Sequence, residues 1–367
     1  MSKHIVIDAR IRRTSTGRYT HMLVEKLQAI DTTNKYTVLV EADDTWRMTN
    51  KNFTTQKAPY KQFSFSVREQ LAFARQLYSP KADVYHFTMT QFPLLFFNKN
   101  IVVTTHDLGM LKTQRPAKYG RLKYTVMKLG YTYLLWACHR KASKIIVPSD
   151  WVKKDLSSYQ SFTANKIIRT YESGNTQSSV KAKKPKGIQP NFILYQGTPF
   201  PHKNVKKLVD AFDILHADNK DLHLHFNGKI EQYYKDLQQY IATKSSRSNI
   251  HLNGFVPDEE SKWMFNNCLA YVTPTLDEGF GITGLEAMEQ GAPVVCSDIP
   301  ILREVYGNAP EYFNPHSAKD IATKIKKVAT DSKLRKAMKA RGLTQAKKYT
   351  WEKMAQETLA VYSNLIK

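Results

Sequence analysis

The chain has 367 residues, 42% of them apolar and 24% charged. This is ordinary globular usage, long enough for two domains with cores that need no staple, and it excludes a disordered tail or a fibre. Lys and Arg outnumber Asp and Glu by 55 to 32, a net charge of +23, which points to an anionic partner: nucleic acid, an anionic membrane face or a phosphorylated substrate.

The charge is uneven. Residues 1–175 hold 28 basic and 12 acidic residues, or +16, and residues 176–367 hold 27 and 20, or +7. Cys138, Cys268 and Cys296 are odd in number and far apart, which argues against a disulfide framework or a cysteine zinc site and fits a reducing cytosol. The opening MSKHIVIDAR enters an alternating strand pattern without an apolar run of secretory length, so a cytoplasmic location is expected. The most apolar later stretch, residues 124–138, is interrupted by Lys128 and flanked by Arg121, Lys123 and Arg140, too short and polar to span a bilayer.

In chain order, β-rich apolar runs fall at residues 4–7, 36–40, 84–87, 101–105, 145–147 and 167–170, with a helical period at 19–29. After the polar, basic stretch QSSVKAKKPKGIQP at 177–190 the alternation restarts. Strands are expected at 192–195, 222–226, 251–253, 269–272 and 294–296, with helices at 203–215, 230–243, 317–339 and 351–366. Strands alternating with helices predict parallel sheets built from βαβ units. The expected organisation is an N-terminal Rossmann-like domain at 1–176, a linker at 177–190, a second Rossmann-like domain at 191–350, and a closing helix at 351–367 that packs back on the first domain. Such sheets bind ligands at the carboxyl ends of their strands, so a cleft between the domains, closing about a hinge at 175–190, is expected.

The strongest local signal is DEGFGITGLEAM, residues 277–288, after the predicted strand 269–272. Gly279, Gly281 and Gly284 permit unusual dihedrals and close approach of a ligand. The helix start, expected near Glu286, would seat a phosphate, with Glu278 and Glu286 on either side binding sugar or ribose hydroxyls. The same spacing also fits a glycine-rich turn with two solvated acids. In LYQGTPFPHKN, residues 194–204, a strand ends in a glycine turn and Lys203 precedes a helix. Lys203 can neutralise a diphosphate, or it is a solvated first-turn lysine. VVTTHD, residues 102–107, delivers His106 and Asp107 at a strand end, to serve a leaving oxygen or a hydroxyl, or in a structural role. IDAR with TGRY, residues 7–10 and 16–19, is a first βα turn with one glycine. A dinucleotide fingerprint needs more, which weakens an oxidoreductase reading.

Taken together, IDAR…TGRY, SVREQL at 66–71, DVYHF at 83–87, TTHDL at 104–108, KIIVPSDWVKKDL at 144–156, YQGTPFPHKN and residues 277–315 resemble glycosyltransferase family 4, of GT-B fold. They look most like its mannosyl- and rhamnosyl-type branch, which builds bacterial polysaccharides. The resemblance implies a retaining hexosyltransferase that uses a GDP- or UDP-linked sugar and a glycan or lipid-linked acceptor, without cofactor or metal. Glu286 would bind ribose, Glu278 would hold hydroxyls of the transferred sugar, and the backbone at Phe280, Gly281 and Ile282 would contact sugar or diphosphate. Lys203 would neutralise the departing diphosphate, His106 would contact the sugar and reaction centre, and Gly17 would let the first loop approach the phosphate. One departure is Thr198, where many members carry Arg; His202 or Arg18 would replace part of that charge.

No DxD pair stands in a strand-end loop, and Asp43-Asp44 reads as a surface turn. A sugar phosphorylase would show a pyridoxal-lysine context, which is missing here; a nucleotide-sugar epimerase is a further alternative within the fold. A nucleic-acid-binding protein is motivated by the charge but lacks a zinc-finger, RRM or helix-turn-helix pattern, so no nucleic-acid partner is expected. The basic excess of the first half suggests peripheral contact with an anionic membrane surface. The candidate segment is 112–144, with the basic loop 112–123 as the contact and the helix after it as core.

Overall fold

The computed structural model describes residues 2–14, 16–58, 66–79, 81–112, 120–174, 180–230 and 232–366. The chain forms two compact units: residues 1–111, 119–172 and 351–367 make the first, and 112–118 with 173–350 the second.

The first unit runs β1 (His4–Asp8), α1 (Gly17–Ile30), β2 (Lys35–Val40), β3 (Phe53–Lys57), α2 (Val67–Tyr78), β4 (Val84–Phe87), β5 (Ile101–Thr104), the short α3 (Gly109–Lys112), α4 (Arg121–Lys141), β6 (Lys144–Val147), α5 (Asp150–Tyr159) and β7 (Ile167–Arg169). Its seven strands pair in the order β3-β2-β1-β4-β5-β6-β7, all parallel. Strands such as IVVT at β5 and VYHF at β4 are buried along their whole length, as a sheet covered on both faces requires.

The second unit runs β8 (Phe192–Gln196), α6 (Val205–Asp218), β9 (His223–Asn227), α7 (Gln232–Ala242), β10 (Ile250–Gly254), α8 (Asp258–Asn267), β11 (Ala270–Thr273), α9 (Ile282–Glu289), β12 (Val294–Ser297), α10 (Pro300–Tyr306), β13 (Glu311–Phe313), α11 (Ala318–Thr330) and α12 (Ser332–Ala346). Its six strands pair in parallel in the order β10-β9-β8-β11-β12-β13. Leu208 and Phe212 of α6 and Ile321 and Ile325 of α11 pack on Ile193, Leu224 and Val272 in one core. The last helix, α13 (Trp351–Leu365), belongs to the first unit, where Lys26 of α1 pairs with Glu352 at 2.5 Å and Tyr362 meets His86 of β4 at 2.6 Å.

Four sequence expectations need correction. The single helix at 317–339 is two helices, because the Asp331 carboxylate accepts from the Leu334 amide at 2.9 Å and starts α12 afresh. Strands β3 and β13 were not expected; β3, FTTQK, buries only Phe53 and is an edge strand without an alternating apolar signal. Asp44 is not a surface acid: it is buried and receives Arg12, whose guanidinium lies over Trp46, while Asp43 stays exposed beside Arg13 at 3.0 Å. The stretch read as a linker joins the second unit from residue 180, where the Lys183 amide donates to the Glu259 carbonyl at 2.9 Å; residues 177–179 and much of the expected hinge, 175–179, lie outside the described residues.

Burial holds several histidines neutral. It pushes His86 down to about 3 and His139 and His225 to about 4. His225 stacks on His251 at 4.5 Å, and His251 shares a hydrogen bond with His223 at 3.0 Å, so three imidazoles crowd the β9–β10 face. A histidine depressed in the native state binds fewer protons than the unfolded chain, so its contribution is complete above about pH 6.5 and is lost as pH falls toward the native value. Melting temperature is therefore expected to hold near pH 7 and to drop steadily between pH 6.5 and 4, and His225→Gln should flatten that slope. Denaturation followed across this range is the check, and a flat profile for the wild type would remove the argument.

Candidate active site

In the first unit the β-strand ends gather a polar network. Asp8, the last residue of β1, takes a bidentate pair from Arg10 at 2.8 and 2.7 Å, and Arg10 lies over the Phe73 ring. Thr88 after β4 donates to the Asp8 carbonyl at 2.7 Å and accepts from Thr20 of α1 at 2.8 Å, tying three elements together. Gly17 opens α1; a Cβ there would lie 1.9 Å from the Ile11 carbonyl oxygen, so this glycine is required by the chain folding back on itself. That packing gives the residue a reason within the fold of the first loop.

His106 follows β5 and is mostly buried, with Tyr19 edge-on at 5.0 Å. Both its ring nitrogens face acceptors: Nδ1 lies 3.1 Å from Glu172 Oε1, and Nε2 lies 3.0 Å from the Thr88 carbonyl oxygen. A neutral imidazole can donate only once, so the imidazolium alone satisfies both. Burial opposes the charge, but the hydrogen bond and charge of Glu172 outweigh it and raise the His106 pKa. The residue is thus biased toward its cationic form, with its ring nitrogens committed within its own unit, and a substrate oxygen could reach one only by exchange. Glu172 and Thr88 were not expected from sequence; a lone Glu in TYESG carries no motif. A histidine raised in the native state adds stability that is complete below about pH 6.5 and is lost as pH rises through the native value. The His106 ring should titrate above 6.5 by NMR, and Glu172→Gln should lower the midpoint; an unchanged midpoint would show that the pair does not govern its charge.

In the second unit the turns after β8 and β11 are joined. The Leu276 amide donates to the His202 carbonyl at 2.7 Å, and Lys203 Nζ meets Glu278 Oε1 at 2.5 Å. Lys203 ends a 3-10 turn, and Asn204 in left-handed geometry, with its amide on the Pro315 carbonyl at 2.8 Å, starts α6. Thr198 follows Gly197, and its carbonyl accepts from the Phe200 amide at 2.8 Å. The Gly197 amide in turn donates to the Asn227 carbonyl at 2.8 Å, and Gly228 packs so close that a Cβ would meet the Gly197 carbonyl oxygen at 2.5 Å. Lys203 and Glu278 neutralise each other, and both are partly exposed.

The glycine loop differs from expectation in two ways. The helix α9 begins at Ile282, one turn earlier than read, so Glu286 lies in its second turn and is buried. Its charge, after burial itself, pushes Glu289 up to about 7. Gly281, the N-cap, has φ +85°, and Tyr306 of α10 donates its hydroxyl to the Gly281 carbonyl at 2.5 Å. A Cβ on Gly281 or Gly284 would come within 2.6 or 2.1 Å of that hydroxyl. These two glycines therefore make room for Tyr306. The Phe280 ring is buried against Tyr349 at 5.5 Å, which leaves its backbone as the part able to serve a ligand. Glu278, Phe280, Gly281, Ile282, Glu286, Lys203 and Thr198 thus share the carboxyl edge of one sheet, whereas Gly17 and His106 share that of the other. Among the described residues no group of three His, Cys, Asp or Glu side chains converges to hold a metal ion.

Two Rossmann-like parallel-sheet domains with their site loops at the carboxyl ends of the strands make up the GT-B fold. Residues 177–345 match the family described as Glycosyl transferases group 1. The chain is 26% identical to O-antigen chain mannosyltransferase B of Escherichia coli over 72% of this chain and 70% of that protein. It is 33% identical to the serotype-specific mannosyltransferase WbdA of Escherichia coli over 48% of this chain, but spans only 22% of that relative. Sucrose-phosphate synthase of Thermosynechococcus elongatus shares the fold, with TM-score 0.78 at 16% identity over 99% of each chain.

Proposed function

We propose that this glycosyltransferase moves a mannose-like hexose from a GDP- or UDP-linked donor to a glycan or lipid-linked acceptor at the cytoplasmic membrane face, with retention of configuration and without a metal. The observation that carries the reading is the Lys203–Glu278 pair beside the Gly281 start of α9, inside the matched family domain. A diphosphate arriving at Lys203 exchanges for Glu278 as its counter-ion. The freed carboxylate then accepts hydroxyls of the transferred sugar. The amides at the start of α9 add donors for phosphate oxygens, and Glu286 accepts the ribose hydroxyls. The mannosyl preference is supported by the two Escherichia coli relatives.

In the reaction the bond from the anomeric carbon to the diphosphate oxygen breaks, with its electron pair leaving on the nucleoside diphosphate. The acceptor oxygen forms the new bond on the same face, and its proton passes to the departing phosphate oxygen. Charge builds on the leaving group, and Lys203 with the backbone amides stabilises it electrostatically.

Glu286→Gln should weaken donor-nucleotide binding about tenfold or more, the loss of one charge-assisted hydrogen bond. Glu278→Gln should lower kcat more than affinity, because it touches the sugar. Calorimetry with GDP and UDP, paired with donor-hydrolysis rates, separates the two effects, and wild-type behaviour of both variants would overturn the site. Turnover is also expected to persist in EDTA; loss of turnover restored by manganese or magnesium would overturn the metal-free mechanism.

A further inference from the structure

Helix α4 breaks the usual rule for a domain helix. Leu122, Val126, Leu129, Tyr133 and Trp136 are all between 45% and 81% exposed. Their spacing of 4, 3, 4 and 3 places them on one stripe, about 80° wide and about 21 Å long at helical pitch. The far end of the helix is anchored in the core. Leu134, Leu135, Ala137 and Cys138 are buried, and Lys166 Nζ caps the end through the Arg140 and Ala142 carbonyls at 3.0 and 2.8 Å. The helix expected to be core is therefore core only toward its C-terminus. Of the basic loop expected to make the contact, residues 113–119 lie outside the described residues.

The charge along the segment that carries the stripe has one sign. Between Asp107 and Asp150 the sequence has no acidic residue and nine Lys and Arg, five of them in α4 itself. Two copies of the helix laid face to face would bring these charges together, so a second copy is electrostatically disfavoured. No helix among the described residues is long and apolar enough to cross a membrane. An apolar stripe with cationic flanks matches a surface that is apolar within and anionic at its face. The stripe is also graded: its N-terminal end is aliphatic, whereas Tyr133 and Trp136 stack at 6.1 Å toward its C-terminal end, with Arg140 5.9 Å from the Trp136 ring. Aromatic rings beside a cation suit the headgroup level, and the aliphatic end suits the acyl boundary.

We infer that the stripe Leu122–Val126–Leu129–Tyr133–Trp136 docks the protein on an anionic lipid bilayer, with the N-terminal end of α4 entering most deeply. This deepens the proposed function by naming the surface on which a lipid-linked acceptor would be met. Binding is tested without donor or acceptor, so its failure would leave the transferase reading standing. The full chain is floated with vesicles of phosphatidylcholine alone and of phosphatidylcholine with phosphatidylglycerol, at low and high salt. Expected is recovery with the anionic vesicles at low salt and release at high salt. The triple variant Leu122→Ser, Val126→Ser, Leu129→Ser should bind about tenfold more weakly or less, with melting temperature and GDP or UDP binding unchanged, because all three side chains are exposed. Equal recovery with both lipids, or undiminished binding by the triple variant, would overturn the proposal. So would no recovery at all, whether or not sedimentation shows a self-association that the triple variant abolishes.

Discussion

Parallel strand pairing is the constraint on which the rest depends. Every strand in both sheets runs the same way as its neighbours, so every strand-to-helix turn of a sheet emerges at one edge. Short strands buried on both faces have no room for chemistry within them. The polar residues that end them collect by topology: Asp8, Thr88 and His106 at one sheet, and Lys203 and Glu278 at the other. Residues 80 positions apart, as Asp8 and Thr88, or 75 apart, as Lys203 and Glu278, become neighbours in one cluster of loops within each unit.

Charge within those clusters is balanced pair by pair. His106 leans on Glu172, Arg10 on Asp8, Arg12 on Asp44 and Lys203 on Glu278. A carboxylate close to a phosphate seat is unfavourable if it stands alone, and a lysine partner removes that penalty until an anion replaces it. The pairs differ in how readily they can exchange. Arg10–Asp8 is deeply buried and bidentate, which suits a structural tie. Lys203–Glu278 is partly exposed and joins two separate loops, which suits a pair that opens for a ligand.

The elements with dense apolar runs were legible in the sequence: the fully buried strands, α1, α6 and α13 stand within a few residues of expectation. So was the grouping of Lys203, Glu278 and Glu286 at one sheet edge, because glycine and turn residues punctuate the strands that lead to them. What escaped was contact between segments remote in sequence. Nothing local says that Tyr306 fills the space above Gly281 and Gly284, that Gly228 backs onto Gly197, or that Glu172 meets His106 across 66 positions. Strand β3 escaped for another reason: at a sheet edge only one of its five residues needs to be buried.

Helix α4 shows why composition alone misled on the remaining point. Its apolar residues lie on two sides, one packed and one bare, so the two contributions cancel and the run reads as a core helix interrupted by lysines. Only exposure separates the sides: Leu135 and Cys138 are sealed beneath the sheet connections while Leu122 and Leu129 stand in solvent. Leaving such a stripe bare lowers solubility and adds nothing to folding, whereas the lysines and arginines beside it counter aggregation by mutual repulsion. The same repulsion disfavours a second copy and leaves attraction to an anionic bilayer undiminished. The +16 on residues 1–175 thus makes the apolar stripe tolerable in water and would favour an anionic surface as its cover.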